Sequence, residues 1–306
     1  MRVLIVGCGY VGLPLGAELA KLGHEVFGLR RSPSADAELK AAGISPLHAD
    51  VTKPETLAAL PRDFDWVVNC AASGGGGPEE YRQLYLRGNQ NLIEWLAPAP
   101  PQKFVYTSST GVYGQNDGSL IKESSPTEPA TETAQVLVAT EKLLLDAAQQ
   151  RKFPAMILRV AGIYGPERGH LLKQYLKDEA RLEGRGERHL NMIHRDDLIG
   201  VIIAALQSGR AGEIYNAVDD EPVSQFHFFE WLAGTLDKPL PLSVPADADA
   251  ARKRGVTNKK VSNRKLKMEL GYQFKYPNFR QGYTAELLRL DRAGLLEIAP
   301  ESREKL

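Results

Sequence analysis

Gly7, Gly9 and Gly12 are the residues of this 306-residue chain whose spacing most directly implies chemistry. The run Gly7-Cys8-Gly9-Tyr10-Val11-Gly12 has the G-x-G-x-x-G form that receives a dinucleotide pyrophosphate. The first glycine permits a tight turn and the second lets backbone N–H groups approach phosphate oxygens. The third lets the next helix pack closely, and that helix's N-terminus carries partial positive charge. The turn needs a strand before it and a helix after it. Arg2-Val3-Leu4-Ile5-Val6 reads as the strand, and Leu13, Leu15, Ala17, Leu19, Ala20 and Leu22 give the apolar face of the helix. Gly7, Gly9, Tyr10, Val11 and Gly12 are therefore expected at a bound cofactor.

A second group of residues bears on which dinucleotide is bound. Glu25-Val26-Phe27-Gly28-Leu29 reads as the next strand, and it ends in Arg30-Arg31-Ser32. A site for NAD places an acid there to accept from the ribose 2′-hydroxyl, whereas NADP calls for arginine. Two guanidinium groups and a hydroxyl suit a 2′-phosphate, because arginine forks onto phosphate oxygens. The expectation is NADP rather than NAD, the alternative being a solvated basic turn.

The elements that must position these groups alternate as βαβ units. Further strands are expected at 46–51, 65–72, 103–108 and 155–160. Helices are expected at about 54–60, 79–96 and 132–150, with a run of four glycines, Gly74 to Gly77, in the loop after the fourth strand. The fold class is α/β: a doubly wound parallel sheet of Rossmann type with a smaller C-terminal substrate lobe. Residues 1–165 form the dinucleotide-binding domain, elements near 190–220 return to it, and 166–306 form the lobe. Helices are expected in the lobe at about 171–183, 195–208, 224–236 and 263–270.

Composition narrows the class further. Hydrophobic residues make up 43% of the chain, enough for a large core, and Lys+Arg equals Asp+Glu at 38 each. No charge excess points to nucleic acid or to an anionic membrane. Cys8 and Cys70 lie at apolar strand ends and read as buried thiols; no metal site is indicated. The first residues already form a core strand, so no signal peptide is expected, and no apolar run is long enough to span a bilayer. A cytoplasmic protein is the expectation.

Taken in order, several segments resemble the extended short-chain dehydrogenase/reductase superfamily, and more narrowly its NAD(P)-dependent epimerase/dehydratase branch. They are the glycine turn, Asp50-Val51, Asn69-Cys70-Ala71-Ala72, Thr107 to Gly114, Leu158 to Pro166, Asn191 to Leu198 and Gly212 to Asn216. The tail, Lys260 to Asn263 with Glu269 to Tyr272, is similar to that of atypical members. The resemblance implies that Asp50 accepts from the adenine amino group and that Val51 flanks the ring. Cys70, Ala71, Ala72 and Ser108 would line the cofactor, and Val160 would lie beside the nicotinamide. Ser109 would hydrogen-bond the substrate's reacting oxygen. Asp50 could instead cap its turn, and Ser108 to Thr110 could satisfy backbone groups at a strand end.

The resemblance breaks at the family's Tyr-x-x-x-Lys pair, in which lysine lowers the pKa of an acid/base tyrosine one turn away. Aligning the helix on Glu141 and Leu144 puts Thr133 and Leu137 at those positions, and no tyrosine in the chain has lysine four residues later. Tyr113, Tyr164 and His194 become the candidate acid/base groups beside Ser109, packing or helix capping being their structural alternatives. The implied partner is a small-molecule substrate, a carbonyl compound or a nucleotide sugar, whose diphosphate could draw on Arg168, Lys173, Arg185 or Arg188. A non-enzymatic NADP-binding sensor or scaffold is the alternative. Val136, Leu137, Val138, Leu143, Leu144 and Leu145 add apolar surface to the 132–150 helix. Through that helix and the one at 79–96 the resemblance implies a homodimer.

Overall fold

The structure, a computed structural model, describes residues 1–245, 257–298 and 303. Seven strands form the central sheet: β1 (Arg2–Val6), β2 (Glu25–Arg30), β3 (Ile44–His48), β4 (Trp66–Asn69), β5 (Lys103–Ser109), β6 (Ala155–Val160) and β7 (Ile214–Ala217). They lie in the order β3-β2-β1-β4-β5-β6-β7, with every neighbouring pair parallel. The chain winds outward from β1 to β3, then crosses back to β4 beside β1. That reversal opens a crevice at the C-terminal ends of β1 and β4.

β1 shows how this sequence builds a doubly covered sheet. Its successive side chains point to opposite faces, so an unbroken apolar run feeds two cores at once. Val3 and Ile5 pack with Leu15 and Leu19 of α1 (Gly12–Lys21), Leu39 of α2 (Asp36–Ala41), and Val201 and Ile202 further along the chain. Leu4 and Val6 pack on the other face, beneath two longer helices. The chain reaches that face through α3 (Pro54–Leu57), α4 (Pro78–Tyr81), a π-helical turn at Arg82–Arg87, and α5 (Gly88–Leu96). Leu92, Ile93 and Leu96 of α5 and Leu144 of α6 (Glu132–Arg151) complete the second core.

The lobe carries its own apolar centre. It comprises α7 (His170–Leu176), α9 (Gln225–Leu236) and α11 (Phe279–Arg292), whose Leu172, Phe228, Phe229, Phe279 and Tyr283 pack around Tyr164. α8 (Arg195–Ser208) and α10 (Arg264–Leu270) return to the sheet. Asp197 of α8 is fully buried. Its carboxylate accepts from the Tyr272 hydroxyl (2.8 Å) and from the backbone N–H groups of Lys275 (2.7 Å) and Tyr276 (2.9 Å), clamping the tail to α8.

Several boundaries differ from the sequence expectation. The 79–96 segment is interrupted by the π turn, the helix expected at 171–183 ends at Leu176, and Arg181–Glu183 pairs as a strand with Leu242–Val244. α11 carried no expectation. Its mean hydropathy is low, and its buried residues Phe279, Gly282, Tyr283, Glu286 and Leu287 include only three with strongly apolar side chains.

Candidate functional site

The crevice above β1 and β4 is a cavity of about 760 Å³, and its floor is the glycine turn. Gly7 sits at φ +93°, and a Cβ there would lie 2.5 Å from the Ala71 Cα, so both conformation and contact require glycine. A Cβ at Gly12 would fall 2.3 Å from the Gly7 carbonyl oxygen. Gly12 therefore packs α1 on the turn and is not itself a cavity residue. Gly9 lines the cavity, and a Cβ there would meet no protein atom within 4 Å. The turn thus leaves open volume where the motif requires a ligand, at the start of a helix with no side-chain cap.

The other expected cofactor residues come from loops beyond consecutive strands. Arg30 ends β2 and Arg31 and Ser32 follow it, Asp50 and Val51 follow β3, Cys70, Ala71 and Ala72 follow β4, Ser108 is the penultimate residue of β5 and Val160 ends β6; all line the same cavity as Tyr10 and Val11. Arg31 and Ser32 are exposed, and among the described residues neither Arg30 nor Arg31 makes an ion pair. Asp50 Oδ1 accepts from the Thr52 N–H (3.0 Å) and from the Thr52 hydroxyl (2.8 Å), so the acid caps its turn while lining the cleft. Burial pushes the Cys8 thiol up to about 12 and raises that of Cys70. No cluster suited to a metal occurs among the described residues. Glycine clearance, an acid at one wall and unpaired guanidinium groups at the rim fit an elongated, anionic dinucleotide.

A smaller cavity of about 110 Å³ lies beside the first and shares Tyr85, Thr107, Ser108 and Ser109 with it. Thr133 and Leu137 of α6 line it, with Tyr81, Thr131 and Ala134. The positions aligned with the acid/base pair thus present a hydroxyl and an isobutyl group. Ser109 Oγ accepts from the Gly111 N–H (3.0 Å), capping the short turn Thr110–Val112. Ser108 Oγ donates to Glu141 Oε1 (2.6 Å), and the Arg159 guanidinium holds both Glu141 oxygens from the far side at 2.7–3.1 Å. That ion pair is buried behind the cavity wall.

Three of the expected acid/base groups do not reach either cavity. The Tyr113 side chain is fully buried; its hydroxyl donates to Asn216 Oδ1 (2.8 Å) and accepts from Arg159 Nη1 (2.8 Å), and burial raises its pKa. Tyr164 stacks on Tyr283 at 4.4 Å inside the lobe, and burial raises its pKa as well. His194 Nδ1 accepts from the Asp196 N–H (3.2 Å), capping α8, and burial lowers its pKa. The placement of Tyr164 and His194 has one physical cause. Gly162–Tyr164 and Met192–His194 pair in register, Tyr164 opposite His194, so both side chains turn to the lobe's core rather than to the cleft.

Sequence reasoning missed the wall formed by Ser73, Glu79, Glu80, Gln83, Leu84 and Tyr85. Glu80 Oε1 accepts from the Ser73 hydroxyl (2.6 Å), and the Tyr85 hydroxyl accepts from the Ser73 N–H (3.0 Å). The π turn at Arg82–Arg87 re-aims this stretch, and a pattern search at 3.6 residues per turn cannot register that. Of the basic residues available for a diphosphate, Arg168 lines the cleft; Lys173, Arg185 and Arg188 do not.

The sequence profile of the NAD dependent epimerase/dehydratase family matches residues 3–217, which span β1 to the end of β7. The chain belongs to this family. Protein YeeZ of Escherichia coli K12 is 28% identical over 285 residues, covering 90% of this chain and 97% of that protein. A functionally unknown conserved protein from Silicibacter pomeroyi, of solved structure, is 30% identical with a TM-score of 0.76, over 95% of this chain and 98% of that one. The Streptomyces venezuelae dTDP-glucose 4,6-dehydratase DesIV, solved with NAD and TYD bound, shares the fold at TM-score 0.81 and 24% identity, over 97% and 99% of the two chains. Proteins of this family bind an NAD(P) cofactor. No described helix is long and apolar enough to cross a membrane.

Proposed function

We propose that the chain is an NADP-dependent oxidoreductase of the epimerase/dehydratase family that works without a Tyr-x-x-x-Lys pair, on a carbonyl compound or a nucleotide sugar. The observation that carries this reading is the placement of Arg30, Arg31 and Ser32 on the same cavity as Gly9 and Asp50, with no acid at the end of β2. Two guanidinium groups without ion partners are suited to a 2′-phosphate; a 2′-hydroxyl would leave them without an anion.

Bound NADP would supply a carbon that gives or takes hydride. The chain's part is to orient the substrate oxygen and to handle its proton. Ser109, at the junction of the two cavities, is the hydroxyl for orientation: its oxygen accepts from Gly111, which leaves its own proton to donate. Thr133 cannot take the proton near neutral pH and Leu137 brings no charge, so the proton passes to a group on the 79–85 stretch that lines the two cavities. Glu79, Glu80, Tyr81 and Tyr85 are the titratable side chains there. We further propose a homodimer built on the 79–96 segment and α6, where Val138, Leu143 and Leu145 are only half-buried. A light-scattering mass of one chain at micromolar concentration would exclude it.

A non-enzymatic NADP sensor is the second reading, favoured by the threonine and leucine at the reaction end. NADPH fluorescence enhancement tests the cofactor. Consumption of NADPH at 340 nm with a panel of aldehydes, ketones and quinones supports the reductase reading, and conversion of UDP- or dTDP-sugars without net NADPH loss supports an epimerase. Tight NADPH binding with neither activity selects the sensor.

A further inference from the structure

One side chain of the C-terminal lobe places a positive charge beside the glycine turn. Beyond residue 165, Arg168 and Leu198 are the residues that line the large cavity. Arg168 ends a closed turn: the Gly165 N–H donates to the Arg168 carbonyl (2.8 Å) and the Arg168 N–H donates to the Gly165 carbonyl (2.9 Å). Pro166 fixes the first corner, and Glu167 occupies the second at φ +63°, a left-handed conformation unfavourable for a residue with a side chain. The backbone of Arg168 is therefore held in place rather than left to wander.

Its side chain is placed as deliberately. The guanidinium carbon lies 5.0 Å from the centre of the Tyr10 ring, within cation–π range, and Tyr10 stands between Gly9 and Gly12. In return, the Tyr10 hydroxyl donates to the Pro166 carbonyl at 2.9 Å. Glycine turn and lobe turn grip each other by two contacts running in opposite directions. Arg195 also lies against the Tyr10 ring, at 5.3 Å, but the Asp196 carboxylate neutralises it at 3.1 Å. Arg168 is exposed and makes no ion pair among the described residues.

We propose that Arg168 is a phosphate ligand of the cleft, forking onto the pyrophosphate oxygens of the dinucleotide seated at Gly9 and Tyr10. The inference rests on the cofactor reading above and adds a lobe residue to it. The shared chemistry is a pyrophosphate, which a nucleotide-sugar substrate would also carry. Contact with Tyr10 of the glycine turn favours the cofactor's. A flat guanidinium resting on an aromatic ring keeps its edge N–H groups free to donate, the geometry a bidentate phosphate contact requires.

The test compares wild type, Arg168→Ala and Arg168→Lys by calorimetry, with NADPH, adenosine 2′-monophosphate and UDP as probes. Arg168→Ala should weaken NADPH binding by about tenfold or more, as expected for loss of a charge-assisted contact. Binding of adenosine 2′-monophosphate, which has no 5′-phosphates, should stay within about twofold, and Arg168→Lys should fall between, because lysine keeps the charge without the fork. Equal NADPH affinity in wild type and Arg168→Ala overturns the proposal. Weakened UDP binding with unchanged NADPH binding also overturns it, by assigning the residue to the substrate. A wild type that binds neither NADPH nor adenosine 2′-monophosphate removes the cofactor reading, and this proposal with it. Arg168→Ala should lower the melting temperature only slightly, through loss of the exposed cation–π contact with Tyr10.

Discussion

The two ends of the cleft are built on opposite principles. At the glycine-turn end, backbone does the positioning: Gly7, Gly9 and the residues just beyond β2, β3 and β4 line the cavity because each follows a strand of one parallel sheet. At the Ser108–Ser109 end, side chains do the positioning from a distance. Ser108 is set by Glu141, Glu141 by Arg159, and Arg159 also holds Tyr113, which in turn bonds Asn216. Local sequence is enough to place the first kind of group. The second depends on residues 18 to 103 positions apart meeting in the interior.

The sharpest way to break this contrast is to remove the charge at the centre of the buried network. Glu141→Gln leaves the Arg159 guanidinium buried without a full counter-charge, a loss of about 3–5 kcal/mol of folding stability. Urea unfolding measures it. The contrast further requires that folded Glu141→Gln still bind NADPH with affinity close to wild type, since Glu141 lines neither cavity. A large loss of affinity at unchanged stability would mean that the two ends are one unit.

The glycines sharpen the contrast from the other side. Gly7→Ala forces a side chain into φ +93° and against Ala71, costing about 1–2 kcal/mol from the backbone alone, and should lower the melting temperature. Gly9→Ala meets no protein atom, so melting should be unchanged while NADPH affinity falls by roughly tenfold, because the added methyl occupies room kept for phosphate. Arg31→Ala is expected to have a narrower effect: about tenfold weaker NADPH binding with NADH binding unaltered. Equal losses for the two nucleotides would remove the 2′-phosphate assignment.

How much of this was legible in the sequence follows the same division. The glycine turn, the strand-end arginines and the order of βαβ units could be read because each is local: a spacing, an alternation, a residue type at a strand's end. Gly12, expected both to let the helix pack closely and to lie at the cofactor, makes the close approach to the Gly7 carbonyl that the motif's third glycine serves. Tyr113, Tyr164 and His194 looked catalytic because they follow strands and carry titratable groups. Tyr113 and Tyr164 are oriented by partners that local spacing does not reveal, Asn216 and Arg159 for the first and Tyr283 for the second, whereas His194 is held by the N–H of Asp196 two residues on, the helix-capping alternative already open in the sequence. The π turn that brings Tyr85 to the cleft has no compositional signature at all.

The smallest expected effect concerns a second buried charge behind the Ser108–Ser109 end. Lys259 is 4% exposed, its ammonium donates to the Tyr113 carbonyl (2.6 Å) and the Thr257 hydroxyl (3.1 Å), and burial lowers its pKa to about 8. Below pH 8 the folded and unfolded chains both carry this proton, and Lys259 gives stability no pH slope. Above pH 8 the folded chain releases it while the unfolded chain, with an ordinary lysine pKa near 10.5, retains it. The unfolded state then binds more protons, so this residue's contribution makes the protein more stable as pH rises, by about 1 kcal/mol between pH 8 and 9. Lys259→Met should lack that increment. Comparing the two proteins by urea unfolding at pH 7, 8 and 9 isolates it from the tyrosines, whose raised pKa values act only at higher pH. Parallel stability curves across that range would show that the ammonium is solvated in the folded state, and that the wall behind Tyr113 is more open than the buried network around Glu141.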